Sequence, residues 1–557
     1  MKNKRKVAAI LIFAMILTGT LGACSSKSKN GNADKEQYLN VALNAEPETL
    51  DPSLAVDSYS SIVISECEEA LTRCEQDANG KDVIKPAGAE SFESSKDGLT
   101  WTFKLRDNKW SDGQAVKASD YEYAIKRTLN PKNAAKYSGL LNPIKGAEAY
   151  VSGKGKAEDV GVKAVDDKTL VFTLESPCAY FLNLTYFKLF TPERKDYVEK
   201  YGEKYGTEAE TIPSCGPFVL KSWTHKSKIE LEKNLNYWDK DSVKLNKLTF
   251  KILEDEQARM NEVLNGSVDV ASAEKKEWKD KFNETGKFNL ISGYEPVTDY
   301  LFFNTKDKMF SNIKIRKAVS AAIDREDYVK TLFPSTRVAA YAFAPDSLQI
   351  GNDDFRTKAA NLPVKTLLNE VKDPKAVFTE GINELNLGSD PSKITITLTA
   401  AGTNAKQKQI QEYLQQVLQK NLGCQVKIDY VDGAAYMGIL SKHDFQITSM
   451  AWTGDYNDPM TFFDIFTSES GMNFAAWSNK TYDDNIEKAA AVSDQALRLN
   501  AFKENEDILV NKEAVCVPLD FRQRSQYERK YVKGYVSTLF GSNFECKYAY
   551  TTGRDSK

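Results

Sequence analysis

Met450-Ala451-Trp452-Thr453-Gly454-Asp455-Tyr456-Asn457-Asp458-Pro459 is the stretch of this chain whose residue types could do chemistry. A mostly apolar run, Phe445 to Ala451, leads into it and reads as a buried strand. At its end stand a Trp, two carboxylates, a Tyr and an Asn, closed by a Pro. Polar groups set among aromatics at the end of a buried strand are how an α/β domain builds a small ligand site. Asp455 lies between Trp452 and Tyr456, which shield it from water. A shielded carboxylate favours a cationic partner, because an unpaired buried charge is costly. The α-amino group of a peptide is such a partner. A second reading stays open on the residues alone: Asp455, or Asp458, caps a helix that begins near Pro459.

Little else in the chain offers chemistry. Its 557 residues suggest three or four domain-sized units at ~150 residues each. The composition is that of a soluble globular protein, and a net charge of -3 argues against a nucleic-acid or polyanion partner. The only two histidines, His225 and His443, are far apart in sequence. There is no HExxH, no Walker A loop, no GxSxG and no paired CxxC, which weighs against zinc hydrolases, ATPases and α/β-hydrolases. The chain reads as a non-enzyme without a cofactor or a metal.

The N-terminus carries an address. Lys2, Lys4, Arg5 and Lys6 precede an apolar run, Val7 to Thr20, that is short for a membrane span. Leu21-Gly22-Ala23-Cys24 follows and resembles a bacterial lipoprotein signal, which implies a diacylglycerol on the Cys24 thiol and cleavage before it. Ser25 to Gln37 is polar and reads as a flexible tether. Of the 8 cysteines, those after Cys24 are scattered and odd in number, so the default is buried free thiols that act as small hydrophobes. Cys67 and Cys74 could pair only if a helix ended between them.

The elements that would position the site come in order. Tyr38 to Leu43 alternates as a strand, and Ile62 to Leu71 has helical spacing. Ala89 to Arg106 is a hairpin turning at Asp97-Gly98, with Leu99, Trp101, Phe103 and Leu105 on one face. Ser119 is expected to cap a helix over Asp120 to Thr128. Ile394 to Leu398 and Val426 to Val431 read as strands, separated by a Gln407 to Lys420 helix. A helix over Ala434 to Ser441 then precedes the Phe445 strand. Strand-helix-strand-helix-strand argues for a parallel sheet with right-handed crossovers. The Asp455 loop would leave the carboxyl end of its last strand, where open sheets bind ligands. Leu497 to Leu509 reads as a helix and Val515 to Leu519 as a short strand. Arg316 and Arg325 are expected to pair with carboxylates and fix helix ends.

Several of these segments also carry a resemblance. Glu46-Pro47 with Leu50-Asp51-Pro52, Trp101-Thr102-Phe103-Lys104-Leu105-Arg106, Trp110-Ser111-Asp112-Gly113, Ile212-Pro213-Ser214-Cys215-Gly216-Pro217-Phe218, Glu232-Lys233-Asn234-Leu235-Asn236-Tyr237-Trp238, Phe303-Asn304-Thr305, Ile315-Arg316-Lys317-Ala318 and Ala322-Ile323-Asp324-Arg325 are similar to motifs of the oligopeptide- and dipeptide-binding lipoproteins of bacterial ABC importers, solute-binding protein family 5. They run through nearly the whole mature chain in family order. The resemblance implies an α/β fold, periplasmic-binding-protein-like type II (cluster C), with two lobes joined by hinge strands and an extra subdomain in the first lobe. The implied layout is a signal over 1–23, a tether over 24–37, a lobe I core of 38–66, 190–297 and 525–557, the subdomain over 67–189, and lobe II over 298–524.

The implied function is capture of short peptides in the interlobe cleft and delivery to an ABC permease with ATP-binding subunits. The protein would be a monomer held to the extracytoplasmic face by its N-terminal lipid. The family's Trp-x-x-Asp-Tyr motif places the amine anchor at Asp455, with Trp452, Tyr456 and Asn457 around it. Two departures stand out. A well-known member has an Arg three residues before the Trp, used for the peptide carboxylate; here that place is Ser449. Its Cys after the Trp is Thr453, so its disulfide is absent. The alternatives are another solute on the same fold (a nickel chelate, an oligosaccharide, a cell-wall peptide) or a peptide-pheromone receptor.

Overall fold

The structure is a computed structural model that describes residues 34–554 except 78, 79 and 403. The signal and Cys24 lie outside the described residues. An eleven-stranded sheet forms the spine. Its order is Gln425–Val431, Thr395–Ala401, Ile447–Thr453, Phe288–Phe303, Cys516–Arg529, Val270–Ser272, Tyr38–Leu43, Lys247–Ile252, Lys228–Lys233, Phe218–Thr224, with Arg337–Ala339 added beside Cys516–Arg529. Tyr38–Leu43 is the strand expected from its alternation. The βαβαβ unit is also as read: Thr395–Ala401 pairs in parallel with both Gln425–Val431 and Ile447–Thr453. Its long helix, Ala405–Leu422, buries Leu414, Leu418 and Leu422 and ends at Gly423, φ 77°. A separate four-stranded sheet contains the Asp97-Gly98 hairpin.

Two long antiparallel strands, Phe288–Phe303 and Cys516–Arg529, connect the halves of the spine. Their pairing breaks at Glu295-Pro296-Val297, since the register passes from Tyr294 opposite Gln523 to Thr298 opposite Phe521. Pro296 explains the break, because it has no N–H to give the ladder. The strand foreseen over Val515 to Leu519 is therefore far longer, since it carries Arg522, Arg524 and Gln526 onward into the cleft.

Other expectations need correction. The helix set at Ile62 to Leu71 is Ser58–Cys67. It stops because the Cys67 carbonyl accepts the N–H groups of Cys215 and Gly216, at 3.0 and 2.7 Å. A side chain at Gly216 would not fit, since its Cβ would lie 2.7 Å from the Cys67 carbonyl carbon. Cys74 then sits on a strand, Thr72–Gln76, and both thiols are buried and free. Ser119 caps nothing, because the helix starts at Ala118 and Asp120 accepts the Lys117 N–H at 3.0 Å. Among the described residues Arg316 and Arg325 hydrogen-bond no carboxylate. Arg316 holds the carbonyls of Phe310, Ser311 and Glu513, and Arg325 those of Ser320, Ile323 and Pro518. Burial pushes each guanidinium down to about 10.

Candidate functional site

The site is built on the strand Ile447–Thr453. One edge pairs along its whole length with Phe288–Phe303. The other edge pairs with Thr395–Ala401 only at Ile447 and Thr448. From Ser449 onward no strand among the described residues pairs with that edge, and the Ser449 carbonyl accepts the Tyr436 hydroxyl at 2.7 Å. Beyond the strand, Gly454 N–H donates to the Pro296 carbonyl at 2.8 Å. In an antiparallel ladder, residues two apart face the same way. Trp452 and Met450 therefore turn their backbone groups toward Phe288–Phe303, and Ala451 and Thr453 turn theirs outward. Two unpaired backbone sets on an exposed edge are a template for an added strand.

The loop after the strand is fastened by its own groups. Asp455 N–H donates to Thr461 Oγ1 at 3.0 Å, and Trp452 Nε1 to the Thr461 carbonyl at 2.6 Å. Asp458 accepts the Met460 N–H at 3.0 Å and Arg498 Nη2 at 2.6 Å. Asp455 therefore caps nothing: Pro459 holds the N-cap position of the short helix Met460–Phe463, and Asp458 accepts only the N–H of its first residue. Phe462 and Phe463 are fully buried beside Phe343 and hold the loop down. Such burial contributes about 1.5–3 kcal/mol per ring.

What remains is the Asp455 carboxylate. Among the described residues it accepts no hydrogen bond and makes no ion pair. It lines a cavity of about 330 Å³ together with Trp452, Tyr456, Thr461, Asp464 and, from the facing segment, Tyr180. The Tyr180 and Tyr456 rings stack, with centroids 4.7 Å apart and planes within 10°. Burial pushes Asp455 up to about 6, and the attraction of Lys188 offsets only part of this. Asp464 is pushed up to about 7, first by burial and then by Asp455. Lys188 is pushed down to about 8 by burial; its Nζ donates to Ser61 Oγ at 2.8 Å and lies 4.7 Å from the Tyr137 ring centroid. A pocket with two carboxylates and, among the described residues, no ion-paired cation is prepared for a cation from outside.

A second cavity, a cleft of about 440 Å³, has Thr453 in its lining. Ala42, Asn44, Tyr59, Ala271, Pro296, Arg522 and Arg524 are also among the residues that line it. Thr453 lines this cleft and Trp452 lines the Asp455 pocket, so adjacent residues of the strand front the two spaces.

Of the residues picked from the sequence, Asp455, Trp452 and Tyr456 come together in the pocket wall. Asn457 does not. It is buried, its Oδ1 accepts the Gln349 N–H at 2.8 Å and its carbonyl accepts Asn183 Nδ2 at 2.6 Å. Its side-chain oxygen and its carbonyl are occupied in fastening the loop. Lys188, Tyr137, Tyr180 and Asp464 escaped the sequence reading. Only Lys188 carried a signal, as a lone Lys inside Phe187-Lys188-Leu189-Phe190.

The profile described as bacterial extracellular solute-binding proteins, family 5 middle, matches residues 83–474. The chain belongs to this family. It is 33% identical over 545 residues to the oligopeptide-binding protein OppA of Bacillus subtilis, covering 96% of this chain and 97% of that one. The dipeptide-binding protein DppE of the same organism is 34% identical over 533 residues, 94% of this chain and 95% of its own. A structure of Listeria monocytogenes OppA bound to peptide superimposes with a TM-score of 0.75 at 31% identity, covering 93% of this chain and 100% of that one. The family fixes the architecture as the two-lobed solute-binding fold.

Proposed function

We propose that this protein captures short peptides between its two lobes and hands them to an ABC permease. The observation that carries this is the Asp455 carboxylate, unpaired and half-buried at the end of a strand whose outer edge has no strand paired to it from Ser449 onward among the described residues. A peptide satisfies both features together. Its ammonium pairs with Asp455, and its main chain adds to the edge at Ala451 and Thr453. Main-chain pairing is indifferent to side chains, which suits a binder of many sequences. The relatives named for oligopeptides and dipeptides support this class of ligand.

The lobes of this proposal are 38–66, 190–297 and 525–557 with the subdomain 67–189, against 298–524. They close by flexing the paired long strands near Pro296. Trp452 and Tyr456 shape the pocket for the first peptide residue. The protein acts as a monomer, anchored outside the membrane by lipid on Cys24. Among the described residues no helix is long and apolar enough to cross a membrane. The test is native mass spectrometry of the purified soluble body, before and after mild unfolding. A ladder of co-purified masses that fragment as short peptides is expected. A single non-peptide mass overturns the proposal.

A further inference from the structure

In the layout proposed above, the subdomain 67–189 is joined at both its ends to the first lobe, by 38–66 and 190–297. The chain does not run from it to 298–524, yet it meets that lobe at the loop that holds Asp455. The Tyr180 ring stacks on Tyr456, with centroids 4.7 Å apart. Asn183 Nδ2 donates to the Asn457 carbonyl at 2.6 Å. Two hairpins extend this contact. Lys81, at the turn between the strands Thr72–Gln76 and Asp82–Pro86, donates from Nζ to the carbonyl of Asn352, at the turn between Gln349–Ile350 and Asp353–Asp354. Gln349 Nε2 donates to the Asp82 carbonyl at 3.5 Å, and the Gln349 N–H to Asn457 Oδ1 at 2.8 Å. The hairpins and the Asp455 loop are therefore tied into one contact.

Side chains donating to main-chain carbonyls are modest ties singly, which suits a contact that opens and closes. Its position couples it to the ligand site. Asp455, Tyr456 and Asn457 are consecutive: the first faces the cavity, and the next two meet the subdomain. Thr461 and Arg498 fasten the loop to its own lobe, so a pull on it is a pull on that lobe. The subdomain also walls the site. Leu140, Cys178 and Tyr180 line the same cavity as Asp455. With that wall withdrawn, the carboxylate faces solvent, and a charge pair weakens as water replaces low-dielectric surroundings. A cation held on Asp455 is therefore held more strongly when the subdomain is in contact.

We propose that the subdomain 67–189 is a clasp, which closes onto the Asp455 loop of the other lobe through Tyr180, Asn183 and Lys81 and retains the bound peptide; this rests on the peptide reading above. An ammonium on Asp455 favours the clasped state, and by linkage the clasp slows the departure of the ligand. Entry takes place before the clasp forms, so the clasp leaves the association rate alone. Asn457 acts in retention through Asn183 and Gln349, outside the cavity.

The experiment is ligand exchange followed by native mass spectrometry. Protein loaded with a mixed-sequence pool of short peptides is diluted into an excess of the same pool made with heavy isotope, and the loss of light peptide is followed in time. Association is read by mixing emptied protein with the pool. The double variant Lys81→Met with Asn183→Ala is expected to exchange about tenfold faster than wild type, with association within about twofold. Both side chains are partly exposed and neither lines the Asp455 cavity, so the melting temperature should not change. Lys81→Met alone, on a hairpin turn, should give a smaller increase, and it carries the test if the double variant does not fold. Unchanged exchange in a folded variant overturns the clasp and leaves the peptide reading standing. Slower association with unchanged exchange also overturns it. Failure of wild type to bind the pool overturns the peptide reading itself.

Discussion

Arg498 Nη2 lies 2.6 Å from Asp458 Oδ1, and both side chains are almost wholly buried, at 0% and 3% exposure. Three residues before Asp458, Asp455 has no such partner. One loop therefore holds two carboxylates in opposite situations, one in the scaffold and one facing a cavity. Asp458→Ala leaves a buried guanidinium uncompensated and frees the Met460 N–H. The expected cost is about 3–5 kcal/mol of stability, measured by denaturant unfolding. A loss under 1 kcal/mol would mean that Arg498 finds another acceptor and that the pair does not hold the loop.

Asp455→Asn should behave in the opposite way. The substitution removes the charge that pairs with the ligand ammonium while keeping the shape of the side chain. Peptide affinity is expected to fall about a hundredfold or more by calorimetry. The melting temperature at pH 7 should not fall, because the environment already disfavours the charge. A shift from 3.8 to about 6 corresponds to ~3 kcal/mol. Unchanged affinity would remove Asp455 as the anchor.

The same shift sets the pH dependence of stability. A carboxyl whose folded pKa is about 6, above its ordinary 3.8, is protonated more readily in the folded state. Its contribution to stability is complete below pH 3.8 and is lost as pH rises through 6. Asp464, pushed up to about 7, acts in the same direction. At pH 7 the Asp455→Asn variant should therefore gain on wild type, and at pH 4 the gain should vanish. Thermal melts of both proteins across this range decide it. A gain that persists at pH 4 would assign the stabilisation to packing.

Peptide binding has the reverse dependence, because the ammonium needs an ionised Asp455. Affinity should fall below about pH 6, and binding near pH 6 should release protons as the ligand draws the carboxyl into its charged form. Calorimetry in buffers of different ionisation enthalpy reads this release directly. A binding enthalpy independent of buffer at pH 6 would show that Asp455 does not change protonation on binding.

The parallel unit from Thr395 to Thr453 could be read in the sequence because alternation and helical spacing there are set by local burial. Asp455 stood out because two aromatics flank it. The long strand after Cys516 could not be read fully, because Arg522 and Arg524 line a cleft and break the apolar pattern that marks a strand. Asn457 looked like part of the site because it adjoins Tyr456. Its partner, Gln349, is 108 residues away, and nothing local reveals that bond. The groups facing Asp455 come from Tyr137, Tyr180 and Lys188, distant segments that only the fold brings near.

Lys188 gives the sharpest test of that long-range arrangement. Its charge attracts the Asp455 carboxylate and lowers the carboxyl pKa, though less than burial raises it. The same charge repels an incoming ammonium. Lys188→Met keeps an unbranched side chain and removes both effects. The pH midpoint for peptide binding should then move up from about 6, because Asp455 loses its stabilising neighbour. Between that midpoint and about pH 8, where Lys188 of wild type still carries its charge, affinity should exceed that of wild type, because the ligand ammonium no longer approaches a second cation. Titration calorimetry from pH 5 to pH 9, at fixed ionic strength, separates the two effects. An unmoved midpoint would mean that Lys188 and Asp455 do not sense one another across the cavity, and the electrostatic account of the pocket would fail there.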